Sequence, residues 1–395
     1  MRNAIHSTLV AAAVVIAIAT LPQPAQASQP LLPHGGHDQV PARLVALPTP
    51  QGDFERAPVR YAWPLDPQRE LSEAEPFQAE SREFWQTVDA AKLKRGFDVD
   101  LSAPGALIRV TPAKGARALQ QPDVRLLGNG RAVAMAPTAS ATQLRAAGMA
   151  VPAGTVVMKI ADDHGSGRYH LQSQAADGRY IVHVFEPGSP VALLARADRS
   201  HALVGDTIGL DVAMNDAGRE QQAQAGALLV SPDGTSRPIG LRSDGSHLRA
   251  KVRIPADAGH LPGLWELQVF ASGDNGIQRD ARVAFAVSQP TARLAGDYTA
   301  DRRARRVQVP VETATAGRYE VRGTLYATGP GKTLRPVAQG HSAAWFEPGR
   351  GVLALDFGTV KLPAGYGAPF ELRQLELQDQ IRGSLIEVRA RAAKF

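Results

Sequence analysis

The sequence predicts a mainly β protein: an N-terminal mixed α+β domain followed by two Ig-like β-sandwich domains. Three observations carry this. Apolar residues alternate at period two through most of the chain after about residue 150, the mark of strands with one buried face. Clusters of Gly, Asp, Asn and Pro interrupt these runs at short intervals, as in stacked-sheet domains. Helical spacing is confined to the first third of the chain.

Residues 1–27 read as a cleaved export signal. Arg2 precedes an apolar run over residues 9–21, and Ala25-Gln26-Ala27 is a small-x-small cleavage site. That run is shorter than the roughly 20 residues a membrane-spanning helix needs, so no transmembrane helix is expected in the mature chain. The expected compartment is periplasmic or secreted. Residues 28–58 form a Pro-rich leader (Pro30, Pro33, Pro41, Pro48, Pro50, Pro58), expected as a tether or an arm over the first domain.

Residues 59–190 read as the mixed α+β domain. Ser72-Glu73-Ala74-Glu75 matches a capping box. Phe77, Phe84, Trp85 and Val88 recur at helical spacing before Gly96, which predicts a helix ending there. A short second helix is expected over residues 139–147, between Thr138 and Gly148. Alternating runs at 155–161, 168–174 and 179–185, separated by two turns, predict a β-meander.

Residues 191–290 read as the first sandwich, with strands at 207–214, 227–230, 248–254, 264–270 and 281–287. One of its turns is Asp274-Asn275-Gly276. Period two sends Trp265, Leu267 and Val269 inward, and Val283, Phe285 and Val287 likewise. Residues 291–395 repeat the plan as the second sandwich. Val307, Val309 and Val311 share a face there, and further runs lie at 319–326, 352–357, 371–378 and 385–391.

Gly205-Asp206 before a strand, Ser231-Pro232-Asp233-Gly234 and Gly263-Leu264-Trp265-Glu266 resemble the Ig-like modules of secreted bacterial proteins. With the Pro-rich leader and the domain ending Val184-Phe185-Glu186-Pro187-Gly188-Ser189, the order is similar to an uncharacterised family of exported gammaproteobacterial proteins. That family places an N-terminal domain of unknown function ahead of Ig-like β-sandwich modules. The resemblance implies no known activity and carries over no catalytic residues.

Composition and motifs narrow the chemistry. There is no cysteine, which removes thiol catalysis, cysteine metal sites and disulfides. The formal charge is +6, from 44 Lys and Arg against 38 Asp and Glu, and losing Arg2 lowers it by one. No nucleotide or other cofactor is expected. Gly329-Pro330-Gly331-Lys332-Thr333 resembles the end of a phosphate loop, but Tyr326 stands where that loop needs its first Gly; a hairpin turn accounts for it. His34, His37 and Asp38 lie in the leader, with nothing to orient a metal site around them. Asp162, Asp163 and His164 are the densest polar cluster, yet they lack calcium-loop spacing and suit a turn. Arg302, Arg303, Arg305 and Arg306 form the strongest charge run, a candidate polyanion site. No Gly-x-Ser-x-Gly elbow or His-Glu-x-x-His helix occurs. Trp345 precedes a Pro-Gly turn, where exposure is expected.

The first expectation is therefore a non-enzymatic exported protein for binding or envelope interaction, with an envelope polyanion, glycan or protein as partner. The second is an exported hydrolase with residues 59–190 catalytic and the sandwiches as spacers or targeting modules. The third is a polyanion-binding module acting through the four arginines. Nothing in the sequence sets an oligomeric state.

Overall fold

Alternating side chains fold into six β-sheets among the described residues, and three buried apolar clusters lie where these sheets face one another in pairs. The computed structural model describes residues 28–395 apart from 73–74, 137, 139, 149–150, 259–260 and 274. The expected export signal lies outside the described residues. So do Glu73 and Ala74 of the expected capping box, Ala139 at the expected start of the second helix, and Asp274 of one expected turn. Among the described residues no helix is long and apolar enough to cross a membrane.

The first unit pairs a sheet ordered Glu83–Asp89, Arg179–Phe185, Leu107–Pro112, Val156–Ile160, Met135–Ala136 with one ordered Phe97–Leu101, Gly167–Gln172, Arg125–Gly128, Arg131–Ala132. Phe84, Val99, Ile108, Leu171 and Tyr180 are buried between them. The helix expected over residues 77–96 is instead two strands, Gln78–Ser81 and Glu83–Asp89, and one short helix, Ala90–Arg95. Phe84 and Val88 are four apart, a spacing that keeps two side chains on one face in a helix and in a strand alike. The β-favouring Phe-Trp-Gln-Thr-Val run decides for the strand. Asp89 caps the short helix by accepting from Lys92 N at 2.7 Å. Gly96 ends it at φ +112°, as the sequence predicts.

The second helix, Ala141–Ala146, is capped by Ser140 with Gln143 in a capping box. Thr138, expected as its cap, donates to the Val157 carbonyl at 2.8 Å. The expected meander does not form either. Val156–Ile160 and Arg179–Phe185 lie in one sheet and Gly167–Gln172 in the facing one, paired with Phe97–Leu101. Period two marks a strand's buried face but not the sheet it joins.

In the middle unit, Trp265, Leu267, Val269, Val283 and Phe285 are buried as expected, and Val287 packs partly buried against them. Its first sheet, built on Thr207–Asp216 and Val191–Ala197, takes Gln78–Ser81 as an edge strand. In the last unit Val307, Val309 and Val311 face Tyr319, Val321 and Leu377. Gly329 to Thr333 is the turn between Gly317–Thr328 and Leu334–Phe346.

The leader is laid on the last unit and not over the first. Ser28–Pro30 pairs with Asp297–Asp301. Beyond the leader, Val59–Pro64, expected to open the first domain, instead joins the last unit, pairing with Leu334–Phe346 through six residues, from Val59 opposite Ala343 to Pro64 opposite Ala338, because the arm continues past residue 58 as one edge strand. Between them Asp38 accepts from Ala390 N at 2.9 Å, and Trp345 is covered by Phe54 and by the Arg56 guanidinium, 4.3 Å from its ring. Proline rigidity and the missing N–H groups suit an arm that pairs in short pieces.

Gln39 anchors that arm. Its Nε2 donates to the Leu385 and Ile386 carbonyls at 3.1 and 3.0 Å. Gln39→Ala strips both carbonyls of a buried donor and should lower unfolding stability by about 1–2 kcal/mol. Denaturant titration followed by tryptophan fluorescence measures it; an unchanged midpoint would mean the arm does not contribute to the cooperative unit.

Candidate functional site

The first and middle units are joined by a buried ion pair. Arg279 Nη1 lies 3.1 Å from Glu186 Oε1, and both side chains are 0% exposed. Glu186 Oε2 accepts from Ser102 N at 2.7 Å, Ser102 Oγ at 2.6 Å and Ala103 N at 3.1 Å. Arg279 also donates to the Val191 and Gln278 carbonyls and to the hydroxyls of Ser102 and Ser189. Burial pulls the guanidinium below its usual range, with Glu186 acting against that. A charge pair removed from water holds only with added hydrogen bonds of this kind, here concentrated on Glu186 Oε2 and the guanidinium.

One residue further on, Asp280 Oδ2 accepts from Trp85 N at 2.7 Å. This contact sets the edge of the strand Glu83–Asp89 over the outward face of the middle sheet Ala223–Val230, Trp265–Gly273, Gln278–Ser288. Between them lies a cleft of about 500 Å³. Its floor is Phe270, which stands on the outward parity of a strand whose Trp265, Leu267 and Val269 point inward; Phe270 is 39% exposed. Gly226 lies opposite Phe270, and a Cβ there would meet nothing within 4 Å, so open space adjoins the ring. Gln224, Ser272 and Gln278 line the cleft on one side, with Trp85 and Gln86 above. Trp85 is held by His183, stacked 4.7 Å away, and by Arg282, 5.1 Å from its ring. The Gln86 Oε1 is buried without a hydrogen-bond partner.

Asp280 is the cleft's acid. Burial raises its pKa to about 6; the Trp85 N–H and nearby Arg282 oppose the rise, and Glu83 adds to it. The arrangement offers an apolar ring face, three amides, a hydroxyl and a carboxyl group. That is the chemistry of hydrogen-bonded recognition around an apolar contact.

The structure does not bring the residues singled out in the sequence to this cleft. Asp162 lies 3.3 Å from Lys159, and Asp163 lies 4.0 Å from His164. Asp163 and His164 border a separate cavity with Arg131, Arg168 and Tyr169. Among the described residues no group of three or more His, Asp or Glu side chains could hold a metal ion. Arg302 and Arg303 are exposed on the turn before Arg306–Thr313. Arg305 donates to the Phe357, Gly358 and Val360 carbonyls, and Arg306 pairs with Asp356 at 2.6 Å. Phe270 was legible as the one aromatic on an outward parity in its strand; Trp85 and Asp280 meet only through the fold.

Fold and cleft define a class: a mainly β protein of three stacked-sheet units with a polar and aromatic cleft at the first junction. The chain carries the N-terminal domain of the DUF4785 family, a domain of unknown function, over residues 50–186, and that family's C-terminal domain over residues 291–395. It is similar to a DUF4785 family protein from Legionella pneumophila, with 20% identity over 89% of this chain and 98% of that one and a TM-score of 0.67. A weaker likeness is to Escherichia coli alpha-2-macroglobulin, at 14% identity, 78% of this chain, 20% of that one and a TM-score of 0.29. No curated protein matches.

Two outcomes follow at this junction. Glu186→Gln leaves Arg279 charged, buried and unpaired, and should cost about 3–5 kcal/mol in denaturant unfolding; the double change with Arg279→Met should recover most of it. The Asp280 pKa is raised above its ordinary 3.8, so its protonated form favours the fold and that contribution is lost as pH climbs to about 6. Asp280→Asn should therefore match the wild type below pH 3.8 and exceed it above pH 6, by up to about 3 kcal/mol. Thermal melts at the two ends of that window decide; equal differences at both would refute it.

Proposed function

We propose that the chain is an exported, non-catalytic binding protein of the gammaproteobacterial envelope. In this reading its later Ig-like modules carry and orient a cleft for a neutral oligosaccharide. The observation that supports it is the exposed Phe270 ring beside the open space at Gly226, ringed by Gln224, Gln278, Ser272 and Gln86. A sugar presents an apolar C–H face and a rim of hydroxyls. A fixed ring and amides that both donate and accept suit that pair of features.

One observation favours the hydrolase reading. Asp280 keeps its proton to about pH 6, as a general acid requires, and the expected catalytic region supplies Trp85 and Gln86 to the same cleft. The polyanion reading rests on Arg302 and Arg303, since Arg305 and Arg306 are committed to carbonyls and to Asp356.

Calorimetric titration with chitohexaose and cellohexaose tests the leading reading. Binding should weaken at least tenfold, about 1.4 kcal/mol, in Phe270→Ala and in Gln278→Ala. Absence of binding, or binding indifferent to both changes, would reject the cleft. Release of new reducing ends, abolished in Asp280→Asn, would decide for the hydrolase.

A further inference from the structure

We propose that the outward face of the last unit's five-stranded sheet is a second ligand surface, an aromatic lane for a neutral polysaccharide. It lies apart from the cleft and does not rest on that reading. The lane begins on the arm. Tyr61 and Trp63 share one face of the edge strand Val59–Pro64, and they are 51% and 37% exposed. Their rings lie 5.5 Å apart at 19°. Both stack on His341 of the adjacent strand, at 5.0 and 4.9 Å.

The imidazole is fixed in turn. Glu320 binds His341 Nδ1 and also accepts from Gln380 Nε2. His341 Nε2 is buried beneath the rings with no partner. Two large rings are thus held in one orientation without being covered, and a pre-set ring face spares a ligand the cost of ordering it.

The polar groups around the rings select the ligand. Gln339 stands opposite Trp63 in the register, and Arg322 opposite His341. Arg322 is paired with Glu376, Arg373 with Glu371, and Glu320 with His341. Beside the rings charge is matched, Arg322 against Glu376 and Glu320 beside His341, which leaves hydrogen-bonding capacity and little net field there; the surplus cations gather at the far strand pair, where Arg373, Arg391 and Lys394 share Glu371. A phosphate-rich polymer or an anionic lipid surface would need an excess of cations. A neutral chain of sugar rings needs aromatic faces and paired donors and acceptors, which this lane presents.

Co-sedimentation of the full chain with insoluble chitin, cellulose and β-1,3-glucan tests this, with phosphatidylglycerol vesicles alongside. The wild type should pellet with at least one of the three polysaccharides and not with the vesicles. Tyr61→Ala and Trp63→Ala should each cut the bound fraction fivefold or more. Trp63→Phe should retain most of it, and Phe270→Ala should leave it unchanged. Gln339→Ala, on the neighbouring strand, should also weaken binding and guards against a variant arm that fails to seat; equal melting temperatures check seating directly. Pelleting with none of the polysaccharides, pelleting indifferent to Tyr61 and Trp63, or preference for the vesicles would overturn the proposal.

Discussion

The last unit is completed by the first described residues of the chain. Ser28–Pro30 extends one of its sheets and Val59–Pro64 the other, so strands from opposite ends of the described chain share hydrogen bonds. Closing so long a loop is entropically cheaper than it looks, because the cost grows only with the logarithm of length. The return is an edge strand on each of two sheets, which otherwise present unpaired backbone. In a chain without cysteine, this pairing does what a disulfide does elsewhere: it ties distant segments, here through repeated weak bonds and not one strong one.

The same device recurs at the first junction. Gln78–Ser81 leaves the arm and lends itself to the middle sheet, opposite Val191–Ala197, before the chain enters the first unit's own sheet at Glu83. Arg82 marks the crossing, with Nε donating to the Ser189 carbonyl at 2.9 Å. Beside it the Glu186 and Arg279 pair is held by Ser102, Ala103, Ser189 and the Val191 and Gln278 carbonyls. Hydrophobic contact alone would let two sandwiches slide; a buried charge pair with fixed hydrogen-bond directions does not. The cleft owes its shape to that register, because Asp280, which positions Trp85, is the next residue after Arg279.

What the sequence disclosed follows from period. Val307, Val309 and Val311, or Trp265, Leu267 and Val269, alternate so strictly that their burial is unambiguous. Phe84 and Val88 do not, because a separation of four satisfies both periods, and the expected helix became a strand. The meander failed for a related reason: alternation in residues 155–185 says which face of each strand is wet, while pairing is decided by neighbours far away, such as Phe97–Leu101. The arm was hidden more deeply. Prolines announce extended chain but not its partner, and the partner of Gln39 is Val388. In the candidate cleft, the outward parity of Phe270 was readable from its own strand. Trp85, Asp280 and Arg282 converge from elements separated by a domain's length of sequence.

Both aromatic surfaces sit where a borrowed or crossing strand meets a resident sheet. Trp85 is on the first strand after the crossing, and Tyr61 and Trp63 are on the arm itself. A side chain on an outer face has no core to fix its rotamer, so each of these rings is fixed by a neighbouring histidine, His183 for Trp85 and His341 for the other two. Each histidine is held by a carboxylate, Glu83 at 2.7 Å in one case and Glu320 in the other. Carboxylate, imidazole and aromatic ring thus form a short chain of support that stands in for packing at the surface. Rigid strands beneath and fixed rings above are what a recognition surface needs if it is to bind without first paying to order itself. Added edge strands supply both here, which is why the two candidate surfaces lie where a borrowed or crossing strand joins a sheet and not at the centre of any one sandwich.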